Sequence, residues 1–180
     1  MKFVQQEQLV LKTWEMKTKD IINIIVVGTG GQGVVWLSNQ IRSLAKLNDF
    51  NCVGATFKGG AQRMGTVYAE LRLQPIANNQ IISSQIPNHK VDILIGLEPW
   101  ETLRMSHRCH TNTKVIVHTK SERLYVERHQ NIEVNPIDKL KQLFSKIDVL
   151  QNDGNVKLNQ LILQQSITKK ILPFNPIKQN

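Results

Sequence analysis

The stretch IINIIVVGTGGQGVVWL, residues 21–37, decides the fold. INIIVVG (22–28) is short, β-branched and almost continuously apolar, which suits a strand covered on both faces of a parallel sheet. Gly28, Gly30, Gly31 and Gly33 follow at once. VVWLSNQIRSLAKL then sets Val34, Leu37, Ile41, Leu44 and Ala45 at helical spacing, and Asn48-Asp49 supplies a stop. Strand, glycine turn and helix form the opening unit of an α/β fold.

Downstream, NCVGATF (51–57) and TVYAELRL (66–73) read as strands, bridged by KGGAQRMG and forming the one candidate hairpin. VDILIGL (91–97) is a buried strand. EPWETLRMSHRCH (98–110) reads as a helix, with Pro99 in its first turn and Trp100, Leu103 and His107 at helical spacing. TKVIVHT (113–119) is a further strand and IEVNPID (132–138) a short one. DKLKQLFSKID is a helix opened by Asp138, and the tail is helical from about Lys157 to Leu172, where Pro173 stops it. The expectation is a single-domain, Rossmann-like open sheet, mainly parallel, with helices on both faces. The domain covers 21–180, and 1–20 is an arm or short amphipathic helix carrying Phe3, Val4, Leu9, Leu11 and Trp14. Met16 is an alternative start.

A chain of 180 residues suits one domain and is too short for separate nucleotide and substrate domains. No apolar run approaches the roughly 18 to 20 residues that span a bilayer, and Gln5 to Gln8 interrupt the place of a secretory signal, so a cytoplasmic protein without a membrane partner is expected. Cys52 and Cys109 form no C-x-x-C pair, so neither a disulfide framework nor a cysteine-ligated cluster is indicated. The net charge of +9 favours acidic partners in general. The cations are dispersed without an interleaved aromatic stripe, which argues for a solvated basic surface over a nucleic-acid interface.

Gly28, Gly30 and Gly33 match G-x-G-x-x-G in the right setting, directly after a strand and opening a helix. A helix N-terminus offers free N–H donors and a positive dipole end to an anion, and the same glycines also make a plain tight corner. A nicotinamide site further requires an acid at the end of the second strand, where this chain has Thr56-Phe57-Lys58. A cation there suits a phosphate, leaving NADP or the ribose phosphate of coenzyme A admissible.

FKGGAQRMGTVYAELRL (57–73) concentrates Gly59, Gly60 and Gly65 with Lys58, Gln62 and Arg63, either an anion-holding loop or a strand connection whose glycines relax the backbone. Glu98 ends a buried strand, where open sheets present ligand residues, and equally caps the helix after it. Glu101 and Arg104, three apart, are positioned to pair. His107 and His110 read as sharing a helix face, but two ligands make no metal centre. No G-x-S-x-G occurs, and no catalytic nucleophile is assigned.

Taken in order, INIIVVGTGGQGVV, GGAQRMGTVYAELRL, VDILIGLEPWETLR and GNVKLNQLILQQSITKKILPF resemble the γ subunit or domain of 2-oxoacid:ferredoxin oxidoreductases, most of all the smaller subunit of indolepyruvate oxidoreductases. The match spans about 22–176, and Gly-Gly-Gln-Gly followed by Ala-Gln-Arg is its sharpest part. The resemblance implies a subunit that carries no cofactor of its own, with thiamin diphosphate and iron–sulfur clusters on a partner subunit and ferredoxin as electron acceptor. Such a complex decarboxylates a 2-oxoacid and transfers the acyl group to coenzyme A. The alternative is a γ-like partner-binding module without catalysis, and an NADP-binding reductase is a third reading. The resemblance assigns Gly28, Gly30, Gly31, Gln32 and Gly33 to the turn, and Lys58, Gly59, Gln62 and Arg63 to a partner or coenzyme A cleft, while Glu98 stands as a candidate binding residue from its place at a strand end. It departs from the family after Arg63, where Met64 precedes Gly65 in place of a glycine pair.

Overall fold

The computed structural model describes residues 21–59, 65–78, 81–119, 134–152 and 154–174. The 1–20 arm, Gln62, Arg63 and Met64 lie outside the described residues. Among the described residues, six strands form one sheet in the order β2-β3-β1-β4-β5-β6: β1 Ile22–Thr29, β2 Phe50–Lys58, β3 Thr66–Pro75, β4 Val91–Gly96, β5 Cys109–His118 and β6 Ile147–Leu150. The pairs β1–β4, β4–β5 and β5–β6 are parallel, and the β2–β3 hairpin is antiparallel, as is β3 against β1. The helices are α1 Val34–Leu47, α2 Pro99–Met105, α3 Pro136–Leu143 and α4 Leu158–Thr168.

Every residue of β1 is buried, as its unbroken apolar run requires of a central strand. Alternate side chains feed two cores. Ile22, Ile24 and Val26 pack with Leu37, Ile41 and Leu44 of α1 and Ile162 of α4. Ile25 and Val27 face the other way, joining Ile137 and Leu140 of α3, with Leu103 of α2 against them. The sheet is therefore covered on both faces, as the sequence predicts. Each such buried aliphatic side chain stabilises the fold by about 1.5–3 kcal/mol relative to exposure.

The structure departs from the sequence reading mainly in the second half. Helix α2 ends at Met105, a single 3₁₀ turn covers Ser106–Arg108, and β5 begins at Cys109. His110 therefore lies on a strand, not on a helix face shared with His107. No strand covers 134–138: Asn135 accepts from Ile137 N at 2.9 Å and caps α3, whose first residue is Pro136. Asn135 thus opens that helix, and Asp138 sits inside its first turn. The helix stops at Leu143, and Ile147–Leu150, read as the helix end and beyond, forms β6 by pairing with Val115–His118. Helix α4 ends at Thr168, and Lys170 takes φ 54° as the chain folds back to bury Ile171, Leu172 and Phe174. No helix among the described residues is long and apolar enough to cross a membrane.

Candidate functional site

The glycine turn leaves the end of β1 on the α1 side of the sheet. Gly31 and Gly33 hold φ values of +97° and +88°, a backbone region that glycine enters freely and other residues enter at a cost. Gly33 is also the N-cap of α1, with no side-chain cap. The turn is braced from within: Gln32 N donates to Thr29 O at 3.2 Å, and Thr29 N donates to Gln32 Oε1 at 2.9 Å. Gln32 thus spends its side-chain oxygen on the turn itself.

Helix geometry leaves the N–H groups of Val34, Val35 and Trp36 without a carbonyl ahead of them in α1, at the positive end of its dipole. The start of α4 closes in from the side, because a Cβ added to Gly33 would collide with Asn159 Nδ2. On the other flank stands the end of the hairpin. Gly30 N donates to Gly65 O at 2.9 Å and Gly59 N to Thr66 O at 2.8 Å. Between turn and hairpin opens a cleft of about 430 Å³, lined among others by Gly30, Gly31, Gly33, Lys58, Gly59 and Gly65. The two glycine-rich regions seen in the sequence thus form facing walls of one cleft.

Of the residues assigned from sequence, Gly30, Gly31, Gly33, Lys58 and Gly59 line this cleft. Gly28 lies behind it: its hypothetical Cβ would meet Gln32 Oε1 at 2.6 Å and Leu97 Cβ at 3.1 Å, so it permits close packing under the turn. Gln62 and Arg63 fall outside the described residues. Glu98 does not line the cleft. It is 2% exposed, and its carboxylate accepts from Glu101 N at 2.8 Å as the N-cap of α2. Glu101 pairs with Arg104, as the spacing predicts, and also accepts from Thr66 Oγ1 at 2.7 Å. That second bond links residues far apart in the chain and left no local trace in the sequence.

The hairpin alters the nicotinamide argument. In a dinucleotide fold the second strand lies beside the first, so that an acid at its end reaches the ribose. Here β3 stands between β1 and β2, placing the end of β2 about two strand spacings, or roughly 10 Å, from β1. Among the described residues, the chemistry the cleft offers is backbone N–H groups and Lys58, with Thr29 also lining it, a set suited to a phosphate. Among the described residues no group of three or more His, Cys, Asp or Glu is placed to hold a metal ion.

The sequence model of the pyruvate ferredoxin/flavodoxin oxidoreductase family matches residues 23–162, which takes in both walls of the cleft. The chain belongs to this family. Within it, the indolepyruvate oxidoreductase subunit IorB of Archaeoglobus fulgidus is 37% identical over 99 residues, 55% of this chain and 47% of that protein. IorB of Methanothermobacter thermautotrophicus is 34% identical over 97 residues, 54% of this chain and 47% of that protein. The matched part thus spans about half the length of these curated relatives. The pyruvate oxidoreductase subunit PORC of Thermotoga maritima shares the fold, with a TM-score of 0.56 at 12% identity over 86% of this chain and 80% of that one. So does the 2-oxoglutarate:ferredoxin oxidoreductase of Magnetococcus marinus, solved with 2-oxoglutarate, coenzyme A and succinyl-CoA bound (TM-score 0.51, 9% identity, 84% of this chain and 28% of that one). Membership of the pyruvate ferredoxin/flavodoxin oxidoreductase family agrees with the resemblance carried by the glycine turn and the Ala-Gln-Arg segment.

Proposed function

We propose that the chain is the γ-type subunit of a thiamin-dependent 2-oxoacid:ferredoxin oxidoreductase. It packs against a partner that carries thiamin diphosphate and iron–sulfur clusters, and its cleft holds the phosphate-bearing end of coenzyme A. The observation that carries this reading is the cleft of about 430 Å³ in which the N-terminus of α1, the glycine turn and Lys58 meet. Its volume lies in the range of small-molecule sites. A molecule as long as coenzyme A would extend beyond it, so a partner surface would cover the remainder. When bound, coenzyme A supplies the thiol that accepts the acyl group. This chain's own contribution is to orient the phosphates through backbone N–H groups and to neutralise charge through Lys58. Similarity to IorB and the coenzyme A bound in the Magnetococcus marinus enzyme support the assignment, and the similarity to IorB favours indolepyruvate or another arylpyruvate as the 2-oxoacid.

The test is a pull-down of the chain from its native host, followed by an assay for arylpyruvate- and coenzyme A-dependent reduction of ferredoxin or a viologen dye. Recovery of a large thiamin-binding partner with this activity is the expected result. Recovery of the chain without such a partner would reject the assignment.

A further inference from the structure

We infer that Thr66 is a positioning residue for the cleft, acting through the hairpin on Lys58. The inference rests on the phosphate-binding reading of the cleft given above. Thr66 opens β3, and three anchors meet on it and its neighbour. Its carbonyl accepts from Gly59 N at 2.8 Å, the adjacent Gly65 carbonyl accepts from Gly30 N at 2.9 Å, and its hydroxyl donates to Glu101 Oε2 at 2.7 Å. The first bond closes the hairpin, the second fixes it to the glycine turn, and the third fixes it to helix α2.

Glu101 is a rigid anchor. It is 5% exposed, its backbone N–H is held by the Glu98 carboxylate at 2.8 Å, and its other carboxylate oxygen pairs with Arg104. The side chains of Thr66 and Lys58 fall on opposite faces of the sheet. Lys58 pairs with Val67 across the hairpin, and directly opposed residues share a face, whereas Thr66 is one position away and points to the α2 side. Thr66 therefore holds the hairpin from behind, while Lys58, Gly59 and Val67 line the cleft in front. Its hydroxyl is not a ligand group, and removing it would act only by releasing the hairpin end from α2.

The experiment titrates coenzyme A into the full chain by calorimetry, for the wild type, Thr66→Val, Thr66→Ser, Lys58→Ala and the Thr66→Val/Lys58→Ala double variant, with thermal unfolding of each as a control. Losing a hydrogen bond that holds the hairpin in its binding position lowers the competent fraction, and so the affinity, by up to about tenfold. Thr66→Val is thus expected to bind about tenfold more weakly, and Thr66→Ser, which keeps the donor, to match the wild type. The double variant is expected to be no weaker than Lys58→Ala, because Thr66 acts through Lys58. Should valine prevent folding, Thr66→Ala takes its place. Unchanged binding by Thr66→Val, additive losses in the double variant, or failure of serine to rescue would overturn the positioning role while leaving the cleft's ligand intact. Absence of binding by the wild type, both as the chain alone and in the complex recovered with its partner, would overturn the coenzyme A reading, and with it any role for Thr66 toward that ligand.

Discussion

The N–H of Gly30 donates to the carbonyl of Gly65 at 2.9 Å, so the turn after β1 and the end of the β2–β3 hairpin are one unit. The bond uses backbone alone and continues the antiparallel β1–β3 ladder, whose last pair is Thr29 with Thr66. The sheet therefore sets the mouth of the cleft, and the Thr66–Glu101 bond braces its hairpin wall from behind. A site for an anion gains from this, because donors fixed in advance need not be ordered when the ligand arrives.

Gly33 tests how strictly the turn is built. Its φ of +88° costs another residue about 1–2 kcal/mol, and an added methyl would also collide with Asn159 Nδ2. Gly33→Ala is expected to lower stability by about 2–3 kcal/mol in urea unfolding, and Asn159→Ala in the same chain should recover the steric part. Gly31, also at positive φ but with nothing within 4 Å of a hypothetical Cβ, should lose only about 1–2 kcal/mol as alanine. Equal losses at the two positions would show that the packing against α4 has no energetic weight.

Lys58 tests the chemistry of the cleft. It is exposed at the end of β2, so its replacement should change stability by less than about 0.5 kcal/mol. Lys58→Glu should nevertheless weaken coenzyme A binding by about tenfold at low salt, and the affinity of the variant should depend less on ionic strength than that of the wild type. Binding unchanged by the charge reversal would remove Lys58 from the site.

The opening strand, turn and helix were legible in the sequence because a buried parallel strand is continuous in its apolar character and a glycine cluster marks its exit. The Glu98 cap was legible for a similar reason, since Pro99 fixes where the helix begins. Strand β6 was not: IDVL is four residues long with Asp148 inside it, and only its pairing with Val115–His118 makes it a strand. Likewise His107 and His110 fit a helical spacing locally, yet Val91 pairs with Cys109 and draws His110 into the sheet. Both halves of the cleft could be named from their glycines. That they face each other depends on β3 lying between β1 and β2, a choice of topology that local pattern does not encode. The Thr66–Glu101 bond was invisible for the same reason.

The connection between β3 and β4 is secured by a buried ion pair whose disruption should be costly. Glu70, 3% exposed, accepts from Arg108 Nη2 at 3.0 Å and from Ile86 N at 2.7 Å, and Arg108 Nη2 also reaches Ile86 O at 2.7 Å. Arg108→Met strands a buried carboxylate and is expected to cost about 3–5 kcal/mol in equilibrium unfolding. Adding Glu70→Gln to that variant removes the stranded charge while keeping an acceptor for Ile86 N, and should restore part of the loss. Hydrogen exchange at the Ile86 amide should accelerate in Arg108→Met. A loss below about 1 kcal/mol would mean that the pair is replaceable by solvent.

Cys109 gives a pH dependence with a definite sign. Burial pushes its thiol from 9.0 up to about 12, against the smaller opposing effects of a hydrogen bond with Thr113 and the Arg108 charge. The folded chain therefore keeps a proton that the unfolded chain releases above about pH 9. Between these values the unfolded state binds fewer protons, so stability must fall as pH rises, and the contribution is fully present only below the unfolded pKa. Urea midpoints measured from pH 8 to 11 should decline less steeply in Cys109→Ala than in the wild type, even though the alanine variant starts lower because it leaves a cavity. Iodoacetamide provides the complementary measurement, since only a thiolate reacts. At pH 8 the half-buried Cys52, whose thiol burial also raises, should label more slowly than free cysteine, and Cys109 only when denaturant is present. Rapid labelling of Cys109 in the native protein would contradict its burial in the core beside Val91 and Val115.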